Sequence, residues 1–217
     1  MTKKVAIVDY GLGNLFSVNQ ACQNVGIKSI VTADKKTISE ADALILPGVG
    51  AFGNAIDNLK KARLLDVIFN FGASGKPFLG ICLGMQLLFD ESEEFGEHKG
   101  FGFIKGKIVR FTNEMNQHEK LKIPQIQWNK IYRKPDASSW EGTVLERTGN
   151  DEFMYFVHSY YAVPEDESNI LSLTKYVNIE YASSVLKSNI VGIQFHPEKS
   201  GEKGIEIYRE WSKQINK

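Results

Sequence analysis

Leu79-Gly80-Ile81-Cys82-Leu83-Gly84-Met85-Gln86 stands between an apolar run, Pro77 to Ile81, and a helical pattern that continues through Leu87, Leu88 and Phe89. A run of that length reads as a buried strand, and its junction with a helix reads as a nucleophile elbow with sulfur in place of oxygen. Gly80 and Gly84 flank the thiol because a sharp strand-to-helix turn leaves no room for side chains at those positions. The turn lifts the nucleophile out of the sheet, and the helix N-terminus favours a thiolate. The same residues equally suit a buried structural cysteine beside helix-packing glycines, so the elbow needs partners elsewhere.

Upstream of the elbow, short β-branched runs alternate with helical patterns. Strands are expected at Val5 to Asp9, Ser29 to Thr32 and Ala43 to Leu46, with helices at Leu15 to Val25, Asn54 to Lys61 and Leu64 to Phe71. Leu15, Val18, Cys22 and Val25 share one helical face, which makes Cys22 core filling. Strands alternating with helices imply right-handed crossovers and a parallel sheet. Downstream, Gly106 to Phe111, Asn129 to Tyr132, Glu152 to Val157, Tyr160 to Val163, Ile170 to Thr174, Ala182 to Leu186 and Ile190 to Phe195 read as strands that pair antiparallel. Ile207, Trp211 and Ile215 mark a closing helix, and polar Thr112 to Lys122 an exposed loop. The fold class is therefore α/β: an open, mainly parallel central sheet with flanking helices and an antiparallel-rich second half. No linker divides it, so residues 1–217 are expected to form one domain.

The composition agrees with this picture. The chain has 217 residues, 42% of them apolar, enough for one sizeable core. Lys plus Arg (26) equals Asp plus Glu (26), which gives nucleic acid or an anionic membrane surface little to attract. The apolar run at the start is too short for a signal or a membrane span, and Cys22 and Cys82 suit neither a disulfide framework nor a metal site. The expectation is a cytoplasmic protein with two free thiols, no metal and no cofactor.

Two further segments belong with the elbow. In Val191-Gly192-Ile193-Gln194-Phe195-His196-Pro197-Glu198, an extended backbone would put His196 and Glu198 on one side, a base and the carboxylate that fixes its tautomer. Leu46-Pro47-Gly48-Val49-Gly50-Ala51-Phe52 follows another apolar strand, so it ends at the same sheet edge. Its Val49 or Gly50 amide, with that of Leu83, could hold an oxyanion. Gly11 and Gly13 follow the first strand, but Phe16 occupies the third position of a dinucleotide fingerprint, so that reading is rejected. His98 and His118 read as solvated; His158 interrupts apolar strands as a pocket residue or a satisfied buried histidine.

Together these motifs resemble the class I glutamine amidotransferases over nearly the whole chain. Within that class, Asp9-Tyr10-Gly11-Leu12-Gly13-Asn14, Pro47 to Phe52, Phe156-Val157-His158-Ser159-Tyr160 and His196-Pro197-Glu198-Lys199-Ser200 look like the glutaminase subunits of imidazole glycerol phosphate synthases. The resemblance implies Cys82 as nucleophile, His196 as base and acid, and Glu198 as its orienter. It further implies Gly48, Val49, Gly50 and Leu83 at the oxyanion and Gln86, Ser159 and Tyr160 around L-glutamine. The implied partner is a (β/α)8-barrel cyclase or synthase subunit in a heterodimer, which receives the ammonia for histidine biosynthesis and contacts Lys199. One segment departs from the family pattern Pro-His-Met-Gly-Trp-Asn: here Pro124-Gln125-Ile126-Gln127-Trp128-Asn129 faces the expected interface, with Gln125, Gln127 and Trp128 on it. Similar subunits also feed a sugar amidotransferase of surface-polysaccharide synthesis, and that destination stays open. A binding module without turnover is the alternative of another class.

Overall fold

The computed structural model describes residues 3–112, 121–135 and 139–215. Its parallel half is built as the alternation demands. Strands β1 (Lys4–Val8), β2 (Lys28–Thr32), β3 (Ala43–Gly48) and β4 (Phe78–Cys82) are joined through helices α1 (Leu15–Asn24), α2 (Lys35–Glu40), α3 (Phe52–Lys61) and α4 (Leu65–Ala73). The last strand of the chain, β13 (Ile190–Ile193), lies beside β4, giving the order β2-β1-β3-β4-β13, all parallel. Every residue of β3 and β4 is buried, as strands covered on both faces must be. The two faces can be read off β1. Val5 and Ile7 pack with α1 and the C-terminal helix, whereas Ala6 and Val8 pack with α3 and α4. Phe52, Ala55, Ile56 and Leu59 form the buried stripe of α3 at helical spacing. Ile207, Trp211 and Ile215 do the same for the closing helix, here numbered α6 (Gly201–Ile215).

Past β4 the chain makes helix α5 (Leu83–Gln86) and then β5 (Phe89–Ser92), β6 (His98–Lys99), β7 (Ile104–Arg110), β8 (Gln125–Ile131), β9 (Glu152–His158), β10 (Tyr160–Pro164), β11 (Ile170–Tyr176) and β12 (Ile179–Lys187). The sheet continues β13-β12-β10-β7-β5-β6 with β11 on the flank of β12, while β8 and β9 form a separate antiparallel pair. The helix expected to run through Leu87, Leu88 and Phe89 stops after one turn. All three are fully buried, so no polar face is left for solvent, and the chain turns back as β5 beside β7. Strand β8 begins at Gln125, four positions before the expected start, and α2, β5 and β6 were not foreseen. Residues 113–120 of the expected polar loop lie outside the described residues; Leu121 beside them is buried. No helix among the described residues is long and apolar enough to cross a membrane.

The tightest packing in this half is α5 against β3. A Cβ on Gly84 would sit 1.7 Å from the Leu46 carbonyl oxygen, a backbone atom that cannot swing aside. Gly84→Ala should therefore force β3 and α5 apart and lower stability by at least ~3 kcal/mol, at or above the upper end of ordinary overpacking costs. Urea unfolding followed by far-UV circular dichroism measures it, and a loss under ~1 kcal/mol would show the contact to be loose.

Candidate active site

Cys82 ends β4 with φ 55° and ψ −112°, a left-handed conformation that costs energy for any residue with a Cβ. The glycines expected beside it are needed for the reason given by the sequence: a Cβ on Gly80 would come within 2.8 Å of the Gly84 carbonyl oxygen. The sulfur is thereby turned toward a cavity of about 370 Å³ lined in part by Val49, Gly50, Leu83, Gln86, Glu94 and Tyr160. A larger hollow of about 470 Å³, between α3, α4 and β6, contains none of the elbow residues. The Cys82 thiol lies 3.9 Å from the Val157 carbonyl oxygen, and the Gln194 side-chain amide donates to the sulfur at 3.7 Å.

His196 and Glu198 arrive from the next strand. β13 pairs with β4 so that Ile193 lies opposite Ile81, and the residues after both strands emerge at one edge. His196 itself is extended, but Pro197–Lys199 forms a single 3-10 turn rather than the continuous extended step expected. The turn achieves the same pairing: His196 Nδ1 lies 2.8 Å from Glu198 Oε1. Strand β9 pins this turn from the side. The His196 N–H donates to the Tyr155 carbonyl at 2.9 Å, and the Ser200 hydroxyl links the Tyr155 N–H to the His196 carbonyl. Both side chains of the pair are almost wholly buried. Burial by itself would lower the imidazole pKa, but the charge and hydrogen bond of Cys82, with Glu198 behind, lift it to about 10. Nε2, the ring nitrogen turned away from Glu198, is buried with no hydrogen-bond partner among the described residues. The arrangement therefore sets one imidazole between a sulfur and a carboxylate.

The glycine loop after β3 is held by two residues, Tyr10 and Glu94, that the sequence did not connect to it. The Tyr10 hydroxyl donates to the Pro47 carbonyl at 2.8 Å and would collide at 2.3 Å with any Cβ on Gly48. Gly50 has φ +98°, where a side chain is strained, and Val49 between them is partly exposed. Glu94, in the segment after β5, accepts from the Phe52 N–H at 2.6 Å, fixing the loop at the start of α3. Among the described residues it is also the only carboxylate lining the Cys82 cavity, and burial raises its pKa while the Phe52 N–H and His98 act against that. His98, expected to be solvated, is half-buried, and its ring covers Gly53, where a Cβ would approach to 2.5 Å.

The remaining sequence candidates divide. Gln86, Ser159 and Tyr160 line the cavity, with Gln86 buried. Trp128 packs its ring edge-on to Tyr155 and Lys199 lies 5.8 Å over the same ring, so these two share a surface beside His196, whereas Gln127 is exposed on β8 on the opposite side of the strand from Trp128. Gln125 does not belong to it. Fully buried opposite His158 in the β8–β9 register, it meets the Tyr181 hydroxyl at 3.0 Å, which removes it from any direct contact surface. His158 is the satisfied buried histidine: Nδ1 donates to the Tyr160 carbonyl at 2.8 Å, and Nε2 lies 3.2 Å from Tyr181. Cys22 is buried core, as its helical spacing implied.

With this geometry in view, comparison with known proteins gives a consistent result. The family model described as glutamine amidotransferase class-I matches residues 6–213. A Sulfurimonas denitrificans protein named imidazole glycerol phosphate synthase subunit HisH is 46% identical over 98% of this chain and 99% of its own length. An Aquifex aeolicus protein of the same name is 44% identical over 99% and 98%. Among solved structures, a putative GMP synthase component from Thermoplasma acidophilum superposes with a TM-score of 0.71 at 16% identity, covering 100% of this chain and 95% of that one. The PurLQS structure from Thermotoga maritima gives 0.70 at 22% identity, covering 100% and 98%. At such identities these two speak for the fold alone.

Burial of His158 has a consequence for stability. It lowers the imidazole pKa from 6.5 to about 4, the Tyr160 carbonyl opposing and the nearby His196 adding to the effect. The unfolded chain therefore takes up a proton below pH ~6.5 that the folded protein refuses. Stability is complete above that pH and falls as pH drops toward about 4, by on the order of 3 kcal/mol from this residue. Urea unfolding of the parent and His158→Gln between pH 7 and 4 should show a shallower decline in the variant; equal declines would mean that His158 is protonated in place.

Proposed function

The chain belongs to the class I glutamine amidotransferases, and on that premise we propose that Cys82, His196 and Glu198 hydrolyse L-glutamine as the glutaminase subunit of an imidazole glycerol phosphate synthase in histidine biosynthesis. The observation that carries the proposal is the buried His196, facing the Cys82 sulfur on one side and bonded to Glu198 at 2.8 Å on the other.

The chemistry follows from that arrangement. The Cys82 thiolate attacks the side-chain amide carbonyl of glutamine, forming a C–S bond while the carbonyl π pair moves onto oxygen. The N–H groups of Leu83 and of the Gly48 to Gly50 loop receive this oxyanion. His196 gives its proton to the amide nitrogen, the C–N bond breaks, and ammonia leaves a γ-glutamyl thioester on Cys82. A water then attacks the thioester carbonyl, His196 takes its proton, and glutamate departs as the thiolate–imidazolium pair is restored. Glu198 keeps the ring in one tautomer while it is neutral and steadies its positive charge whenever it carries the proton. Glu94 is the acidic side chain available to the α-ammonium group of glutamine, and Gln86 and the Ser159-Tyr160 backbone surround the rest of the substrate.

A glutaminase serving a synthase must pass its ammonia on. The exposed apolar side chains at the site, Val49 and Phe95 on the cavity lining and Ile126 and Trp128 on β8, suit a docked (β/α)8-barrel partner in a heterodimer. Gln127, on the opposite side of β8 from Trp128, departs from the family pattern but leaves the three reacting side chains untouched. The names borne by relatives that match over their full length favour the histidine pathway over sugar amidation as the destination.

Steady-state assays of glutamate release, with and without the barrel subunit, test the assignment. Cys82→Ala should abolish turnover, and His196→Ala should cost at least ~10³-fold in kcat. Glu94→Gln keeps an acceptor for the Phe52 N–H and loses the charge, so KM should rise about tenfold with kcat little changed. Glutamate production surviving Cys82→Ala would refute the mechanism.

A further inference from the structure

The assignment above uses one side of the Cys82 sulfur; the other side is occupied by a side chain with no role in it. Gln194 is fully buried on the residue between β13 and Phe195, its backbone N–H bonded to the Ser183 carbonyl at 2.9 Å. Its side-chain nitrogen lies 3.7 Å from Cys82 Sγ, and its side-chain oxygen lies 3.0 Å from Gln86 Nε2. Gln86 Nε2 lies in turn 3.0 Å from the Tyr160 carbonyl oxygen.

The direction of this chain of amides is dictated by its far end. A backbone carbonyl can only accept, so Gln86 must turn its NH2 group toward Tyr160. The second hydrogen of that group then points at Gln194, which must answer with oxygen. Gln194 is left presenting N–H, and nothing else, to the sulfur. A thiol has little need of such a donor, whereas a buried thiolate is stabilised by one, because hydrogen bonds to an ion are stronger than those to a neutral group.

We propose that Gln194 is a catalytic donor that holds the Cys82 thiolate by an N–H···S hydrogen bond, with Gln86 as the positioning residue that fixes which end of the Gln194 amide meets the sulfur. The proposal deepens the glutaminase reading and rests on it for its catalytic meaning. In that mechanism Gln194 complements His196: the imidazolium supplies a proton that departs with ammonia, while the amide keeps its hydrogen and stabilises the sulfur again each time the thiolate is regenerated. It also predicts a cost in the thioester state, where the sulfur is neutral and the bond weakens, so Gln194 favours release of the acyl group as well as readiness for attack.

The titratable groups around the sulfur are few and come from separate elements: His196 after β13 with Glu198 behind it, Tyr10 after β1, Glu94 after β5 and His158 at the end of β9. Gln194 does not titrate, so replacing it changes the environment of the sulfur without removing a competing ionisation. The experiment is the pH dependence of Cys82 alkylation by iodoacetamide in the full chain, with peptide mapping to separate Cys82 from buried Cys22. In Gln194→Met the midpoint of the alkylation profile should move up by about one pH unit, with an approximately tenfold slower reaction at pH 7. Gln194→Glu, which keeps the shape and replaces the donor by an acceptor, should move it further in the same direction. Should either variant fold poorly, the parent protein supplies a second reading: the side-chain 15N–1H resonance of Gln194 should shift with pH through the same midpoint as alkylation.

Unmoved midpoints in folded variants, or a Gln194 resonance indifferent to that midpoint, would overturn the proposal. Because iodoacetamide needs no glutamine, the result is separable from the glutaminase assignment. A parent protein that alkylates normally yet never releases glutamate, even with its barrel partner, would sink the assignment and leave the N–H···S bond standing; unmoved midpoints with normal glutaminase activity would do the reverse.

Discussion

The close approach of α5 to β3 is the constraint on which the rest of the site depends. Gly84 rests on the Leu46 carbonyl, and Gly80 lies against Gly84, so the chain can pass from β4 into α5 only if the residue between them takes a left-handed conformation. Cys82 is that residue, and its side chain is turned out of the sheet in consequence. The strain at one residue is offset by the packing of two glycines that no larger side chain could match. Because β3 supplies both the floor under α5 and, two residues on, the glycine loop, Cys82 and the amides of that loop are set by one backbone contact. Tyr10 and Glu94 then clamp the two ends of that loop.

Parallel pairing of β13 with β4 does the remaining work of assembly. It brings His196 to the sulfur from more than a hundred residues away in sequence, while β9 holds the turn that carries Glu198 through Tyr155 and Ser200. Burial of this cluster would make any single charge costly. A sulfur and a carboxylate on either side of one imidazole make the three groups mutually dependent, and removing one leaves the others exposed to that cost. Surface and site are linked through β9 as well, since the Tyr155 that pins His196 is the ring on which Trp128 and Lys199 pack.

Much of this was legible in the sequence, for identifiable reasons. The elbow was readable because its sterics are local: two glycines about a cysteine leave few backbone solutions. His196 and Glu198 were readable because a single residue, Pro197, separates them, and either an extended step or a tight turn brings them together; the turn found here differs from the extended step expected, yet the pair survives. What was missed depends on contacts between distant elements. Glu94 sits in an unremarkable local pattern, whereas Tyr10 and Gln194 sit in motifs legible for other reasons; all three acquire the contacts described here only from register and loop path. Gln125 was placed on the contact surface by likeness of segment, whereas strand pairing opposite His158 turns it inward. The run Leu87-Leu88-Phe89 was read as helix because unbroken apolar stretches carry no period by which to tell helix from strand.

The central claim is that a sulfur, an imidazole and a carboxylate act as one unit on glutamine. It is tested most directly by mixing the complete protein and its barrel partner with saturating L-glutamine, quenching in acid within a single turnover, and mapping the peptides by mass spectrometry. The account requires a γ-glutamyl thioester on the peptide containing Cys82, formed and consumed at rates compatible with ammonia release. Ammonia released at full rate with no acyl group ever found on that sulfur would contradict it.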